Sequence, residues 1–392
     1  MLISIAYILL LGLLFGYICK LLKLPSLIGM IVLGILIGPS VFNLIDSSIL
    51  NISSELRRIA LIIILIRAGL NLDIKDLIKV GRPAMLMSFL PACFEIIGMV
   101  LISTKVFSFS FLDGALLGSV IAAVSPAVVV PSMLRIMEEG YGTNKSIPQL
   151  ILAGASVDDI FVIVLFYTFI GLSIGNSVSL FSFIKVPVSI FIGILIGILV
   201  GYILFKYFDK VHIRDTLKVI IMLCVSFVLV TLEDKGLISF SALISIMVIG
   251  IVILKMKEKL AIRLSLKFNK LWVVAEVFLF VLVGASVDIN FAFTQGIKPL
   301  IVIIFSLVFR MVGVLICLIK TDLNIKERLF CMIAYTPKAT VQAAIGGIAL
   351  SMGIASGNII LTVAVVSILL TAPLGAFFIN LTYKKLLIKD II

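Results

Sequence analysis

Hydrophobic residues in this chain do not alternate with polar ones at a strand or surface-helix period. They run in long blocks separated by short polar clusters. A helix needs about 20 apolar residues to cross the hydrocarbon core of a bilayer. The blocks predict thirteen such spans, at 2–19, 25–45, 56–71, 83–103, 112–134, 148–170, 180–205, 216–232, 236–254, 271–287, 297–319, 328–352 and 357–381. The fold class that follows is an all-α polytopic membrane protein, with the whole of 1–392 as a single transmembrane domain. The N-terminus has no basic stretch and no small-residue cleavage site, so no removable signal peptide is expected.

Composition sharpens this reading. Apolar types make up 62% of the chain and charged types 13%, whereas a soluble domain is about half apolar and a quarter charged. The net charge is +12, but the cations form no continuous basic face, which argues against a nucleic-acid partner. They lie in the clusters between spans. Of 32 Lys and Arg, 23 fall on the side holding the odd-numbered connections and the C-terminus, 6 on the other side, and 3 (Arg67, Arg310 and Lys338) inside spans. The positive-inside rule then places the N-terminus outside and the C-terminus in the cytoplasm of a cell membrane. The five cysteines (Cys19, Cys93, Cys224, Cys317 and Cys331) have no CxxC spacing, and the one histidine, His212, sits in a charged loop. Neither a disulfide frame nor a zinc site is indicated, and no cofactor is expected.

An internal repeat shows in the motifs. Span three ends with Gly69 and Asp73, span ten with Gly284 and Asp288, both as Gly-x-x-x-Asp. Two spans further on, proline interrupts an apolar run: Pro126 and Pro131 in span five, Pro337 in span twelve. Spans 1–6 and 8–13 thus read as two copies offset by seven helices, and an odd offset inverts the second copy in the membrane. Inverted repeats with broken helices meeting near the midplane are a recurring plan of secondary transporters.

Charged side chains inside spans cost about 2.5–3.5 kcal/mol each on insertion scales and mark function by default. Here they are Arg67, Glu95, Asp158, Asp159, Glu276, Arg310 and Lys338. Asp158 and Asp159 are adjacent, so they point about 100° apart on a helix; one can face a cavity and the other a packed neighbour. Two buried neighbouring carboxylates are relieved by a proton or by a hard cation, but hardly by both at once. That competition is what an exchanger needs. Arg310 keeps its proton at all relevant pH and needs an acid, with Glu95, on the repeat mate of its own span, and Asp158 as the two candidates. Lys338 follows Pro337 and could compensate the half-helix end that a break there exposes, or snorkel to the interface. Ser125, Ser156, Thr336 and Thr340 add oxygens at similar depth, suited to a small hard cation. Glu276 lies near an edge as a snorkelling, gating or transport residue, and Arg67 reads as structural.

Several runs resemble the monovalent cation:proton antiporter superfamily, and within it the NHA branch of sodium/proton antiporters. Ser156-Val157-Asp158-Asp159 is similar to the family's paired-aspartate ion site. Ala123 to Met133, with Pro126 and Pro131, resembles its first unwound crossing helix, and Pro337 to Gly346 the second. Arg67-Ala68-Gly69-Leu70 and the Glu95/Arg310 pair also fit that branch. The resemblance implies an inverted-repeat antiporter fold with two unwound crossing helices, in a homodimer. It implies a mobile core (about 83–170 and 297–381), a dimerisation scaffold (about 1–71 and 216–290) and a linker helix (about 180–205), working by an elevator motion. Asp159 would be the main carrier of Na+ (or Li+) and of the proton, with Asp158 in support. Some electrogenic relatives carry lysine where Arg310 stands, and arginine here points to electroneutral exchange.

The expected activity is therefore Na+ or Li+ exchange for H+, with Asp158, Asp159, Ser125, Ser156 and Thr340 around the ion, and Glu95, Arg310 and Lys338 in support. Potassium/proton exchange or a sodium-coupled symporter of related fold is the alternative. An intramembrane aspartyl protease needs two aspartates from separate helices, typically with a Gly-Asp run; the chain has no Gly-Asp dipeptide and its pair is adjacent.

Overall fold

The computed structural model describes residues 1–22, 24–71, 81–174, 180–211, 213–235 and 240–389, the side chains of 156, 174, 180–187 and 190 excepted. Lys23, Asp73, Lys75, Lys79, His212, the first residues of the 236–254 span and the side chain of Ser156 lie outside the described residues.

Among these residues every regular element is an α-helix. In chain order they are α1 (Leu2–Leu21), α2 (Ser26–Ile37), α3 (Ser47–Asn51), α4 (Ser53–Asn71), α5 (Arg82–Met87), α6 (Leu90–Val106), α7 (Phe111–Ile121), α8 (Pro126–Glu138), α9 (Ile147–Ile174), α10 (Leu180–Lys210), α11 (Asp215–Asp234), α12 (Ala242–Met256), α13 (Glu258–Ala285), α14 (Ile289–Gln295), α15 (Lys298–Cys317), α16 (Ile325–Ala334), α17 (Thr340–Ile345), α18 (Ile348–Ser351) and α19 (Gly357–Leu386). In lipid each backbone polar group must find its partner inside the protein, and apolar helices achieve this within one segment. Nine stretches among the described residues are long and apolar enough to cross a membrane. The other four predicted spans are shorter, more charged or broken: α2, α4, α12 and the run from α16 to α18. The chain is a multi-pass membrane protein.

Two elements depart from the predicted boundaries. The stretch 258–270 is dense in Lys and Arg and reads as a loop, yet it is the start of α13. Lys, Glu, Arg and Leu are all good helix formers, and Leu260, Ala261, Leu264, Ser265 and Phe268 recur at helical spacing and are buried. The predicted span 83–103 is interrupted between α5 and α6, where Pro91 enters the first turn of α6. Proline has no N–H to offer the Met87 carbonyl, and the Tyr335 hydroxyl faces that carbonyl at 3.4 Å.

The described residues group into two compact units: Met1–Ser54 with 81–173 and Val277–389, and 55–71 with 180–Glu276. The first holds both broken helices; the second holds most of α4, α10 to α12 and the first two-thirds of α13. Inside each unit, a glycine of one repeat meets a glycine of the other. In the first, Gly34 of α2 meets Gly284 of α13, and a Cβ at either position would collide with the partner's backbone. In the second, Gly69 of α4 and Gly250 of α12 make the same contact. Gly69 and Gly284 are the pair from the Gly-x-x-x-Asp runs, and they lie 215 positions apart, the interval that also separates Glu95 from Arg310.

Both proline-marked spans are broken. The first gap, 122–125, separates α7 from α8; the second, 335–339, separates α16 from α17. Pro126 opens α8, and Ser125 before it is held extended at φ −88 and ψ 112, the conformation that a following proline favours. Pro131, expected in the unwound segment, instead sits inside α8. A proline within a helix removes one backbone bond, and here that loss does not end the helix. The two gaps touch: the Ser125 N–H donates to the Pro337 carbonyl at 2.8 Å.

Candidate functional site

The crossing of the two gaps leaves backbone groups without helical partners, and side chains supply them. In the first gap the Ala122 carbonyl accepts from Arg310 Nη1, and the carbonyls of Ile121 and Ala123 accept from Gln342 Nε2 at 3.1 and 3.0 Å. The Val124 N–H donates to Asp158 Oδ2 at 2.9 Å. In the second gap the Tyr335 carbonyl accepts from Arg310 Nε at 2.7 Å, and the Lys338 N–H donates to Thr371 Oγ1 at 2.8 Å. Asp158 lies on α9 and Thr371 on α19, the last helix of each repeat. The repeats therefore stabilise their gaps in the same manner, once with a carboxylate and once with a hydroxyl.

Arg310 need not choose between its two candidate acids. Nη1 reaches Glu95 Oε2 at 2.9 Å and Nη2 reaches Asp158 Oδ2 at 2.8 Å. The planar five-donor guanidinium can serve two carboxylates and two carbonyls together. Lys338 neither snorkels nor serves only a helix end; its Nζ donates to Glu95 Oε2 at 2.6 Å. The result is a chain Lys338–Glu95–Arg310–Asp158 in which no member is more than 1% exposed. Burying charges is tolerated only when they are paired and hydrogen-bonded; each member here is paired, two charges of each sign, while Glu95 Oε1 and Asp158 Oδ1 accept no hydrogen bond from the described residues.

Asp159 stands outside that balance. Its Oδ1 is buried and accepts no hydrogen bond from the described residues. The same holds for Asp158 Oδ1, Ser125 Oγ, Thr340 Oγ1 and Gln342 Oε1. Ser125 and Thr340 occupy the ends of the two gaps and, like Glu95 and Arg310, are repeat mates. The oxygens of Asp158, Asp159, Ser125 and Thr340 are of the kind that suits a small hard cation. Thr336 instead turns its hydroxyl to the Ile333 carbonyl at 2.8 Å. Arg67 and Glu276 belong to the second unit, within electrostatic reach of each other. Gln342 is the residue that sequence reasoning missed, because a neutral amide in an apolar run carries no charge signal.

A helical membrane domain with two inverted repeats, crossed helix breaks and buried ionisable groups at the crossing is a secondary transporter by architecture. The chain matches the family model "Sodium/hydrogen exchanger, transmembrane" over residues 6–385. It belongs to the sodium/hydrogen exchanger family, within the cation:proton antiporter superfamily. It is 32% identical to sodium/hydrogen exchanger 9B2 of Xenopus tropicalis, an alignment covering 96% of this chain and 73% of the relative. The Homo sapiens protein of the same name is also 32% identical, with 93% and 70% covered. In fold, the chain is similar to the sodium proton antiporter MjNhaP1 of Methanocaldococcus jannaschii at pH 8, with a TM-score of 0.85 over 98% of this chain and 99% of that one, at 22% identity.

Proposed function

We propose that this protein exchanges Na+ or Li+ for H+, with Asp159 as the main shared seat and Asp158 in support. The observation that carries this reading is the imbalance at the crossed gaps. With all five groups ionised, Lys338, Glu95, Arg310 and Asp158 cancel, and Asp159 is left as one excess negative charge. A proton neutralises it, and so does one monovalent cation held by Asp159, Asp158, Ser125, Thr340 and Ser156. The loaded forms are neutral and can cross lipid, whereas the empty form carries a charge that lipid penalises. One proton for one cation makes the exchange electroneutral. The names of the relatives supply the preference for sodium.

The motion we propose is an elevator in which the core (about 83–170 and 297–381) carries the seat across the membrane. The scaffold (about 1–71 and 216–290) would dimerise and the linker helix (about 180–205) would join the two. Both core segments fall within the first compact unit, together with 1–54 and 277–290 of the proposed scaffold. The N-terminus faces outward and the C-terminus the cytoplasm, in keeping with the distribution of cations. Na+ or Li+, protons, the bilayer and a second copy are then the partners, with no resident cofactor, no enzymatic step and a role in pH homeostasis.

The test is proton flux in proteoliposomes driven by Na+, Li+ or K+, with and without a clamped membrane potential. Flux driven by Na+ and Li+, insensitive to the clamp, is expected. Asp159→Asn should abolish it while leaving a folded protein. Parental sodium-driven pH change by folded D159N refutes the assignment.

A further inference from the structure

Gln342 has no part in the exchange reading above, yet it is fully buried at the crossing of the gaps. It lies on α17, directly after the second gap, and its Nε2 holds two carbonyls of the first. Those carbonyls, Ile121 and Ala123, flank Ala122, whose own carbonyl is taken by Arg310. Three successive backbone oxygens at the end of α7 are therefore occupied by side-chain donors. Because both contacts of Nε2 are acceptors, the amide has only one sensible orientation. Its Oε1 points the other way, buried and accepting no hydrogen bond from the described residues, as do the free oxygens of Ser125, Asp158, Asp159 and Thr340.

The amide thus does two things. It withdraws two carbonyls that would otherwise be free to ligate a cation, and it leaves one neutral oxygen in the same buried region as the carboxylates. Cavity size and the number and field strength of the oxygens around a dehydrated ion are the properties by which a site can select between Na+ and K+. We infer that Gln342 is a specificity-determining residue: by clamping the carbonyls of Ile121 and Ala123 it keeps the ligand set small and thereby favours the smaller cation. This rests on the exchange reading, with the ion at Asp158 and Asp159.

The experiment uses Gln342→Met in proteoliposomes, a change of similar side-chain length that removes the amide and releases both carbonyls. Apparent KM is read for Na+ and Li+, and for K+ as transported ion or competitor. The expected result is a fall of about tenfold in preference for Na+ over K+, the factor set by one net hydrogen bond, read as a ratio of apparent KM values and therefore separable from any loss of rate or stability that the two freed carbonyls cause. A residue that merely supported the fold would lower rate or stability and leave the ratio alone. An unchanged ratio, whatever the rate, overturns the inference. If Q342M is not recovered folded, Gln342→Asn carries the same test: one methylene shorter, it keeps the amide but cannot span both carbonyls. The same shift supports the clamp and a parental ratio overturns it. Asp159→Asn is measured in parallel. Exchange by D159N defeats the underlying reading, whereas a silent D159N beside an unchanged Gln342 ratio defeats the clamp alone.

Discussion

Neutralising Lys338 or Glu95 alone should damage the protein more than neutralising both. Glu95 Oε2 accepts from Lys338 at 2.6 Å and from Arg310 at 2.9 Å, with Glu95 and Lys338 fully buried. Lys338→Met leaves two carboxylates on one arginine; Glu95→Gln leaves a buried ammonium beside a neutral amide. Breaking a buried pair by removing one partner costs about 3–5 kcal/mol. Unfolding entropy of about 2.1 cal/mol/K per residue gives roughly 0.8 kcal/mol per degree for a chain of 392 residues. Each single variant should therefore melt about 4–6 °C below the parent. E95Q/K338M removes one charge of each sign and keeps Arg310 on Asp158, so about half or more of that loss should return. The assay is a double-mutant cycle on melting temperatures of purified protein in detergent. Coupled residues give interaction energies of about 0.5–3 kcal/mol. Losses that add in the double variant refute the pairing.

Two further outcomes follow from the packing. Gly284→Val should prevent recovery of folded protein, because a Cβ at 284 meets the Ile31 carbonyl; Gly171→Val, with nothing within 4 Å of its Cβ, serves as the harmless control in an expression and size-exclusion assay. At the end of the chain, the Tyr383 hydroxyl donates to Glu139 at 2.7 Å, and this bond, helped by Lys384 and Arg135, holds the Glu139 carboxyl below its ordinary 4.5. A lowered carboxylate stabilises above the unfolded value and loses that contribution as pH falls through the folded one. The nearby tail, tied by the Gly142 N–H to the Ile388 carbonyl at 2.8 Å, should thus be cut faster by an acid-active protease, relative to an unstructured reference peptide, as pH falls below the ordinary 4.5, and that acid-dependent gain should be lost in Glu139→Gln. A tail whose cleavage is independent of both pH and that substitution contradicts the latch.

Much of the architecture is legible in the sequence because lipid imposes blocks of fixed length, and because proline and intramembrane charge are rare enough there to stand out. The gap positions follow from Pro126 and Pro337, and the glycine repeat from Gly69 and Gly284. Partner choice is less legible. Arg310 reads as a choice between Glu95 and Asp158 because pairwise reasoning gives each cation one acid, whereas a five-donor fork spans both. Lys338 and Glu95 are 243 positions apart, and no local pattern announces their bond. The helix over 258–270 is hidden by its charges, since a hydropathy reading cannot see a helix extending past the hydrocarbon. Gln342 is invisible for the opposite reason, being neutral.

The glycine contacts have a consequence for ancestry. Gly34 against Gly284 and Gly250 against Gly69 are one contact made twice, with the two halves exchanging roles, and Glu95 meets its own counterpart, Arg310. Reciprocity of this sort defines an isologous interface between identical subunits. A half-length chain inserted in both orientations would carry both sides of these contacts on its own surface. Only after two such copies were joined could the position facing itself diverge into an acid on one side and a base on the other, since a lone precursor gene would have set like charges against each other there.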